Sequence, residues 1–322
     1  MARSDRRERL GSRRRARCGA GPVRAPRQVM GLSFANPLGI AAGIDPVGAL
    51  SRCAGAMGFG ALEIGTLTPR PEPGHNPGVG VLRALRQHPA GLAPVRLGIN
   101  LGLNRNTPPE RALMDFRDGL RAAWPYADYI ALNFSSAQTR VLLDPDHRHR
   151  LLALLSALKR EQYRLTRPGK RPVPLALKLS LATALCESLL TDLCRLRLDA
   201  LILVQESAVP EASEPAWRLL ARRQRACAEL RRLKTRLAGR LQVIAVGGIG
   251  SARDAADRLR AGADLVQVHR ALLPGGPLHG RRPDWRWHLH RRAARRQVIR
   301  GPGQYRFNMN PPFGSTTPIY GD

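Results

Sequence analysis

The chain has 322 residues, 43% hydrophobic and 5% aromatic, and its 53 Lys and Arg against 24 Asp and Glu give a formal charge of +29. This length supports one large domain or two small ones with a substantial core. No apolar run approaches 18 residues, which excludes a transmembrane helix. The five cysteines have no CxxC spacing, which argues against a zinc site or disulfide framework and for reduced thiols, so no metal is expected.

Residues 1–28 form a basic leader. Positions 1–27, MARSDRRERLGSRRRARCGAGPVRAPR, carry ten Arg and two acids with no periodic apolar face, so disorder is expected. The leader lacks the apolar stretch of a secretory signal and only faintly resembles an organelle transit peptide. From 29 to about 280 short apolar runs alternate with helical patterns. The runs are PLGIAAG (37–43), ALEIGT (61–66), RLGINLG (96–102), YIALNFS (129–135), PLALKLS (174–180), ALILVQE (200–206), QVIAVGGI (242–249) and LVQVHRA (265–271). Each is short, branched and apolar on both faces, as a buried parallel strand should be. Between them PVGALSRCAGAMG, ERALMDFRDGLRAAW, LLALLSALKREQYRL, ALCESLLTDLCRLR, AWRLLARRQRACAELRRLKTRL and SARDAADRLRAG read as helices. Eight strands in roughly 250 residues predict an α/β fold, a (β/α)8 TIM barrel, rather than an open sheet.

Residues 281–322 close the chain. RRPDWRWHLHRRAARRQVIR (281–300) holds eight Arg with Trp285 and Trp287 and reads as a basic amphipathic helix for lipid or RNA, or as a solvated terminal helix. The last 22 residues are Pro/Gly-rich and read as an irregular tail. The positive excess favours nucleic acid or anionic membrane as a partner, and equally fits an Arg-rich composition with disordered ends.

In a (β/α)8 barrel the strand C-termini converge on the active site. Thr66, Asn100, Asn133, Ser135 and Ser136 would bring amides and hydroxyls there, and Lys178 an ammonium. Inward amides suit a planar ligand with alternating donors and acceptors, such as a flavin or a pyrimidine. Lys178 would stabilise a reduced flavin or form a barrel-end salt bridge. Gly247 and Gly248 in AVGGIG, with Arg270 after the next strand, form an anion site.

The stretches NPLGIAAGID, MGFGALEIGTLTPRPEPG, LGINLGLNRNTP, YIALNFSS, LALKLS and VIAVGGIGSARDAADRLRAGADLVQV resemble the dihydroorotate dehydrogenases, specifically the membrane-associated, quinone-using class, from about Met30 to Leu278. The resemblance implies FMN in the barrel and, at Ser136, a general base that takes a proton from C5 of dihydroorotate while a hydride leaves C6 for the flavin N5. It implies quinone as electron acceptor, a role in pyrimidine biosynthesis, and a cytoplasmic location that is peripheral on the inner membrane. Carried over by position, Ala42, Gly43, Thr66, Asn100, Asn133, Lys178, Gly247 and Gly248 would contact FMN, with His269 and Arg270 at the last phosphate contact. Asn133 would also reach the substrate, with Gln138, Gln205 and Glu206 at the remaining substrate positions.

The chain departs from that pattern mostly on the orotate side, and also at the phosphate contacts. Pro46 replaces a lysine of AAGLDKxG. The NRMGFNN loop is missing between LRALRQHPAGLAPVR and LGINLG. SSPNT reads SSAQT, TNTT reads VQES, the GGLSG phosphate loop reads EASEPAW, and a Tyr-Ser pair at the last phosphate contact reads His269-Arg270. Glu206 would repel a carboxylate substrate. Three readings stay open: a dihydroorotate dehydrogenase with a degraded orotate site, an FMN oxidoreductase for another small substrate, and a non-catalytic barrel that binds RNA or anionic lipid through its basic ends.

Overall fold

The structure, a computed structural model, describes residues 26–85, 95–205 and 216–272. The basic leader up to residue 25, residues 86–94 where the NRMGFNN segment is missing, residues 206–215 with Glu206, and the C-terminal segment from 273 lie outside the described residues.

All eight apolar runs are strands. They are β3 Leu38–Ile40, β4 Ala61–Leu67, β5 Arg96–Leu101, β6 Tyr129–Asn133, β7 Leu175–Ser180, β8 Ala200–Val204, β9 Gln242–Val246 and β10 Leu265–Val268. Every neighbouring pair is parallel, and β10 pairs with β3 to close the barrel. The helices are α1 Ala112–Ala123, α2 Ala137–Arg140, α3 Arg148–Leu165, α4 Leu181–Ala184, α5 Glu187–Arg195, α6 Ala216–Leu237 and α7 Ala252–Arg260.

The two-residue period of a strand sorts the core into two sets. Ile64, Ile99, Ile130, Leu132, Leu177, Leu179, Leu201 and Val243 face outward and pack with the helices. Phe116 of α1 stacks on Phe134 with centroids 5.2 Å apart, which fixes that helix against the end of β6. The alternate positions Ala41, Ala61, Tyr129, Ala131, Ala176, Ala200, Ile202 and Ile244 fill the barrel interior. Small residues dominate this inner set, which leaves room for Tyr129 and for polar groups above it.

Tyr129 sits opposite Gly98, where an added Cβ would stand 2.2 Å from the Tyr129 Cζ. The ring is fully buried and its hydroxyl is tied to Glu63 and Gln267, so it cannot swing aside. Gly98→Ala is therefore expected to destabilise by about 1–3 kcal/mol through overpacking alone, read as a lowered urea midpoint with an unchanged m-value.

Two features differ from the sequence expectation. A hairpin precedes the barrel: β1 Arg27–Val29 pairs antiparallel with β2 Leu32–Phe34 around Met30 and Gly31, both at positive φ. Val29, Met30 and Phe34 are buried in the interior set. Arg96 Nε donates to Ser33 O at 2.8 Å, the Met30 N–H donates to Gln242 Oε1, and Arg171 donates to Gly31 O. Those anchors lie at or just before the starts of β5, β9 and β7, so the hairpin plugs the N-terminal end of the barrel. Strands of three residues beside an Arg-rich leader carry too little alternation to be seen in sequence. The second difference is PVGALSRCAGAMG, which forms only a 3-10 turn at Ala49–Arg52. Asp45 accepts from the N–H groups of Gly48, Ala49 and Leu50 at 2.8, 2.9 and 2.7 Å, and Gly48 adopts φ +83, which a continuing helix does not allow.

Candidate active site at the C-terminal mouth of the barrel

The inward residues beyond Tyr129 form a connected polar line. Glu63 of β4 is fully buried and is the centre of it. Its Oε1 accepts from Asn100 Nδ2 at 2.8 Å and from Lys178 Nζ at 3.1 Å. Its Oε2 accepts from Gln267 Nε2 at 2.8 Å and from the Tyr129 hydroxyl at 3.2 Å. Burial alone would raise the Glu63 pKa, but the Lys178 charge and the bonds from Gln267 and Asn100 outweigh it and hold the carboxyl below its ordinary value. Tyr129 moves the other way: burial, then the Glu63 charge, push its phenol well above 10, so it stays protonated and donates.

From Glu63 the line climbs to the mouth. Asn100 Oδ1 accepts from Thr66 Oγ1 at 2.8 Å, Thr66 Oγ1 accepts from Asn133 Nδ2 at 3.1 Å, and Asn133 Oδ1 accepts from the Ser135 N–H at 3.0 Å and its hydroxyl at 2.7 Å. Each amide is held in one orientation by what it donates and accepts. Thr66, Asn100, Asn133 and Lys178, placed at the mouth by the strand pattern, are thus brought together. Lys178 is 7% exposed, and among the described residues only Glu63 takes one of its three N–H donors.

Ser136 is the N-cap residue of α2, half-buried. Its Oγ lies 3.0 Å from Thr139 Oγ1, which itself donates to the Ser136 carbonyl at 3.1 Å. Among the described residues no histidine or carboxylate bonds the Ser136 hydroxyl, so no acyl-transfer triad exists here. Gln138, one residue on, is exposed and makes no hydrogen bond among the described residues.

On the opposite rim Ala42 is buried and Gly43 (φ +97) lies under His269, whose Nε2 would be 2.7 Å from an added Cβ. Burial, then the charges of Lys178 and Arg270, lower the His269 pKa, so its imidazole is neutral at pH 7. Arg270 is exposed. Gly247 and Gly248 follow β9 at φ +93 and +63. A Cβ on Gly247 would meet the Gln205 carbonyl at 2.4 Å, so only glycine fits there. The Gln205 side chain accepts from Arg258 of α7 beside this turn. Its carbonyl oxygen thus serves the glycine rim.

Sequence reasoning missed Glu63, Gln267, Thr139 and Arg258. Glu63 and Gln267 carried a signal: each is a polar residue at an inward position of an apolar strand, in ALEIGT and LVQV. Thr139 and Arg258 carried none.

An open cavity of about 410 Å³ lies between the loops after β4 and β5, lined by Arg70, Glu72, Asn104, Thr107, Arg111 and Met114 among others. It includes neither Ser136 nor Lys178 nor the glycine pair. The mouth is preferred as the site because the inward polar line ends there. Among the described residues no group of three or more His, Cys, Asp or Glu could hold a metal ion, and no helix is long and apolar enough to cross a membrane.

Fold and site together define a (β/α)8 barrel with its polar groups gathered at the C-terminal face. The family model described as "Dihydroorotate dehydrogenase" matches residues 25–84 and 220–281. The chain is similar to the "Dihydroorotate dehydrogenase (quinone)" of Methylobacillus flagellatus, with 39% identity over 285 residues covering 78% of this chain and 83% of that protein. It is likewise similar to the protein of the same description from Alkalilimnicola ehrlichii, at 38% over 313 residues, 86% of this chain and 90% of that one. Among solved structures it resembles Eimeria tenella DHODH in complex with ferulenol, with a TM-score of 0.63, 25% identity, and coverage of 79% and 80% of the two chains. The chain belongs to the dihydroorotate dehydrogenase family.

Proposed function

We propose that this protein holds FMN at the barrel mouth and oxidises dihydroorotate there, with Ser136 as the base. The observation that carries the reading is Lys178: a buried ammonium fixed by Glu63 with one N–H, which leaves two donors for a ligand at the mouth. The residues present suit FMN. Lys178 and the oriented Asn100 and Asn133 amides match a ring edge of alternating donors and acceptors. The Gly247–Gly248 turn, where the Gly248 N–H finds no backbone acceptor among the described residues, suits a phosphate. Bound FMN would supply the hydride acceptor that no side chain can provide.

The protein's own part is then to position the substrate and take a proton. Dihydroorotate loses a proton from C5 and a hydride from C6, and a C5=C6 double bond forms. Ser136 Oγ accepts the C5 proton as its own hydroxyl proton passes to solvent at the half-buried mouth, and Thr139 Oγ1, 3.0 Å away, orients that hydroxyl by a hydrogen bond. Lys178 places positive charge where the flavin pyrimidine edge would gain electron density. The relatives described with "(quinone)" support quinone as the electron acceptor, and a peripheral site at a membrane would suit a lipid-soluble acceptor of that kind.

A second reading is favoured by the substrate side. Pro46 brings no ammonium, Gln138 is exposed, and Gln205 has its carbonyl oxygen taken by Arg258, which leaves only its amide N–H groups as donors. That set provides few preformed donors for a carboxylate and would suit a neutral small substrate on the same flavin. The visible absorption spectrum of the full chain with added FMN separates the readings. A bound-flavin spectrum that dihydroorotate bleaches anaerobically supports the first. A bound-flavin spectrum that it leaves unchanged supports the second. No flavin binding on titration sinks both and leaves the barrel as a non-catalytic binder of acidic partners.

A further inference from the structure

Arg258 stands on α7, outside the barrel, and is 3% exposed. Its Nη1 donates to Arg223 O at 3.3 Å and to Cys227 Sγ at 3.2 Å, and its Nη2 donates to Gln205 Oε1. None of these partners carries a charge. Among the described residues no carboxylate pairs with Arg258. The nearby acid, Asp254, is already committed: it pairs with Arg223 and accepts from the Ser251 hydroxyl at 2.7 Å and the Gly250 N–H at 3.1 Å. A buried guanidinium without an anion is costly, and structures rarely keep one unless an anion arrives.

The same guanidinium lies at the glycine turn. Its Nη2 would be 3.3 Å from a Cβ on Gly248, and Gln205 Oε1 would be 3.5 Å from it. Gly248 itself is exposed at the mouth. The Gly248 N–H has no backbone acceptor among the described residues, so a neutral donor and one fixed cation share one spot. In barrels of this kind the loops after the seventh and eighth strands are where a phosphate is held.

We propose that Arg258 is the counter-charge of a phosphate-monoester site at the Gly247–Gly248 turn, whose neutral donor is the Gly248 N–H. Gln205 fixes the guanidinium against the turn from the end of β8. In this chain EASEPAW stands where the family resemblance places a glycine-rich phosphate loop, and a cation from α7 restores the attraction that loop would have given. This deepens the FMN reading and rests on it for the identity of the ligand, although the anion site itself does not require a flavin.

The test compares ligands with and without the phosphate on the flavin-free full chain. Binding of FMN and of riboflavin is followed by quenching of flavin fluorescence, for the native protein and for Arg258→Gln and Arg258→Lys. Losing a charge-assisted contact should weaken FMN roughly 10- to 100-fold in Arg258→Gln. Riboflavin should be unaffected, and Arg258→Lys should recover most of the loss. Equal weakening of FMN and riboflavin, or unchanged FMN affinity, overturns the proposal and makes Arg258 a structural tie between α6, α7 and β8. If no flavin binds the native protein, the FMN reading fails on its own. The anion site is then judged by thermal stabilisation with inorganic phosphate: stabilisation in the native protein that Arg258→Lys keeps upholds it, and no stabilisation overturns it. If Arg258→Gln does not fold, the FMN-to-riboflavin ratio of Arg258→Lys decides. A ratio kept well above one supports the site, and a ratio near one overturns it.

Discussion

Ser136→Ala should slow anaerobic flavin bleaching by dihydroorotate by about 10²–10⁴-fold while leaving FMN affinity and thermal stability unchanged. The rate effect is the range for removing a positioned general base. The absence of a folding effect follows from the local geometry. Ser136 caps α2 without a side-chain bond to the helix backbone, and its hydroxyl meets only Thr139 Oγ1. Thr139 keeps its bond to the Ser136 carbonyl in the variant. Stopped-flow absorbance under anaerobic conditions measures the step directly. A variant that bleaches at the native rate removes Ser136 from the chemistry and shifts the search for the base to other groups at the mouth.

Glu63→Ala should cost about 3–5 kcal/mol of stability, the largest structural effect expected in the barrel. The carboxylate is the only anion that Lys178 touches among the described residues, and Asn100, Gln267 and Tyr129 all donate to it. Its loss leaves a buried ammonium and three donors unsatisfied at once. Thermal melting should show a fall of roughly 10 °C. Replacing both partners, Glu63→Leu with Lys178→Met, should cost less than the sum of the two single changes, because no lone charge then remains. Simple additivity would show that the pair is not energetically coupled. The pH dependence has a fixed sign. The Glu63 pKa is depressed on folding, so its contribution is present above the ordinary carboxylate range and is lost as pH falls through the lower folded value. Acid unfolding should therefore begin at a higher pH in Glu63→Gln, which has no such carboxylate.

Much of the fold was legible because parallel barrel strands are short apolar runs, and every run from PLGIAAG to LVQVHRA became a strand. The family was legible too, because its motifs lie at strand ends, where the backbone must both turn and present side chains. The β1–β2 plug escaped notice, since three-residue strands carry no period. The short turn at Ala49–Arg52 was misread as a longer helix because composition does not reveal that Asp45 captures three N–H groups.

By itself the sequence determined which residues end the strands, since each apolar run stops at polar residues and the strand C-termini of a barrel converge. It thereby placed Thr66, Asn100, Asn133 and Lys178 at one mouth. The tertiary structure alone decided their partners. Glu63 and Lys178 are 115 residues apart in sequence and meet at 3.1 Å only because the barrel closes. Arg258 reaches Gln205 and the glycine turn across 53 residues in the same way. Charge pairing and burial depend on distance in space, and only the closed barrel sets those distances.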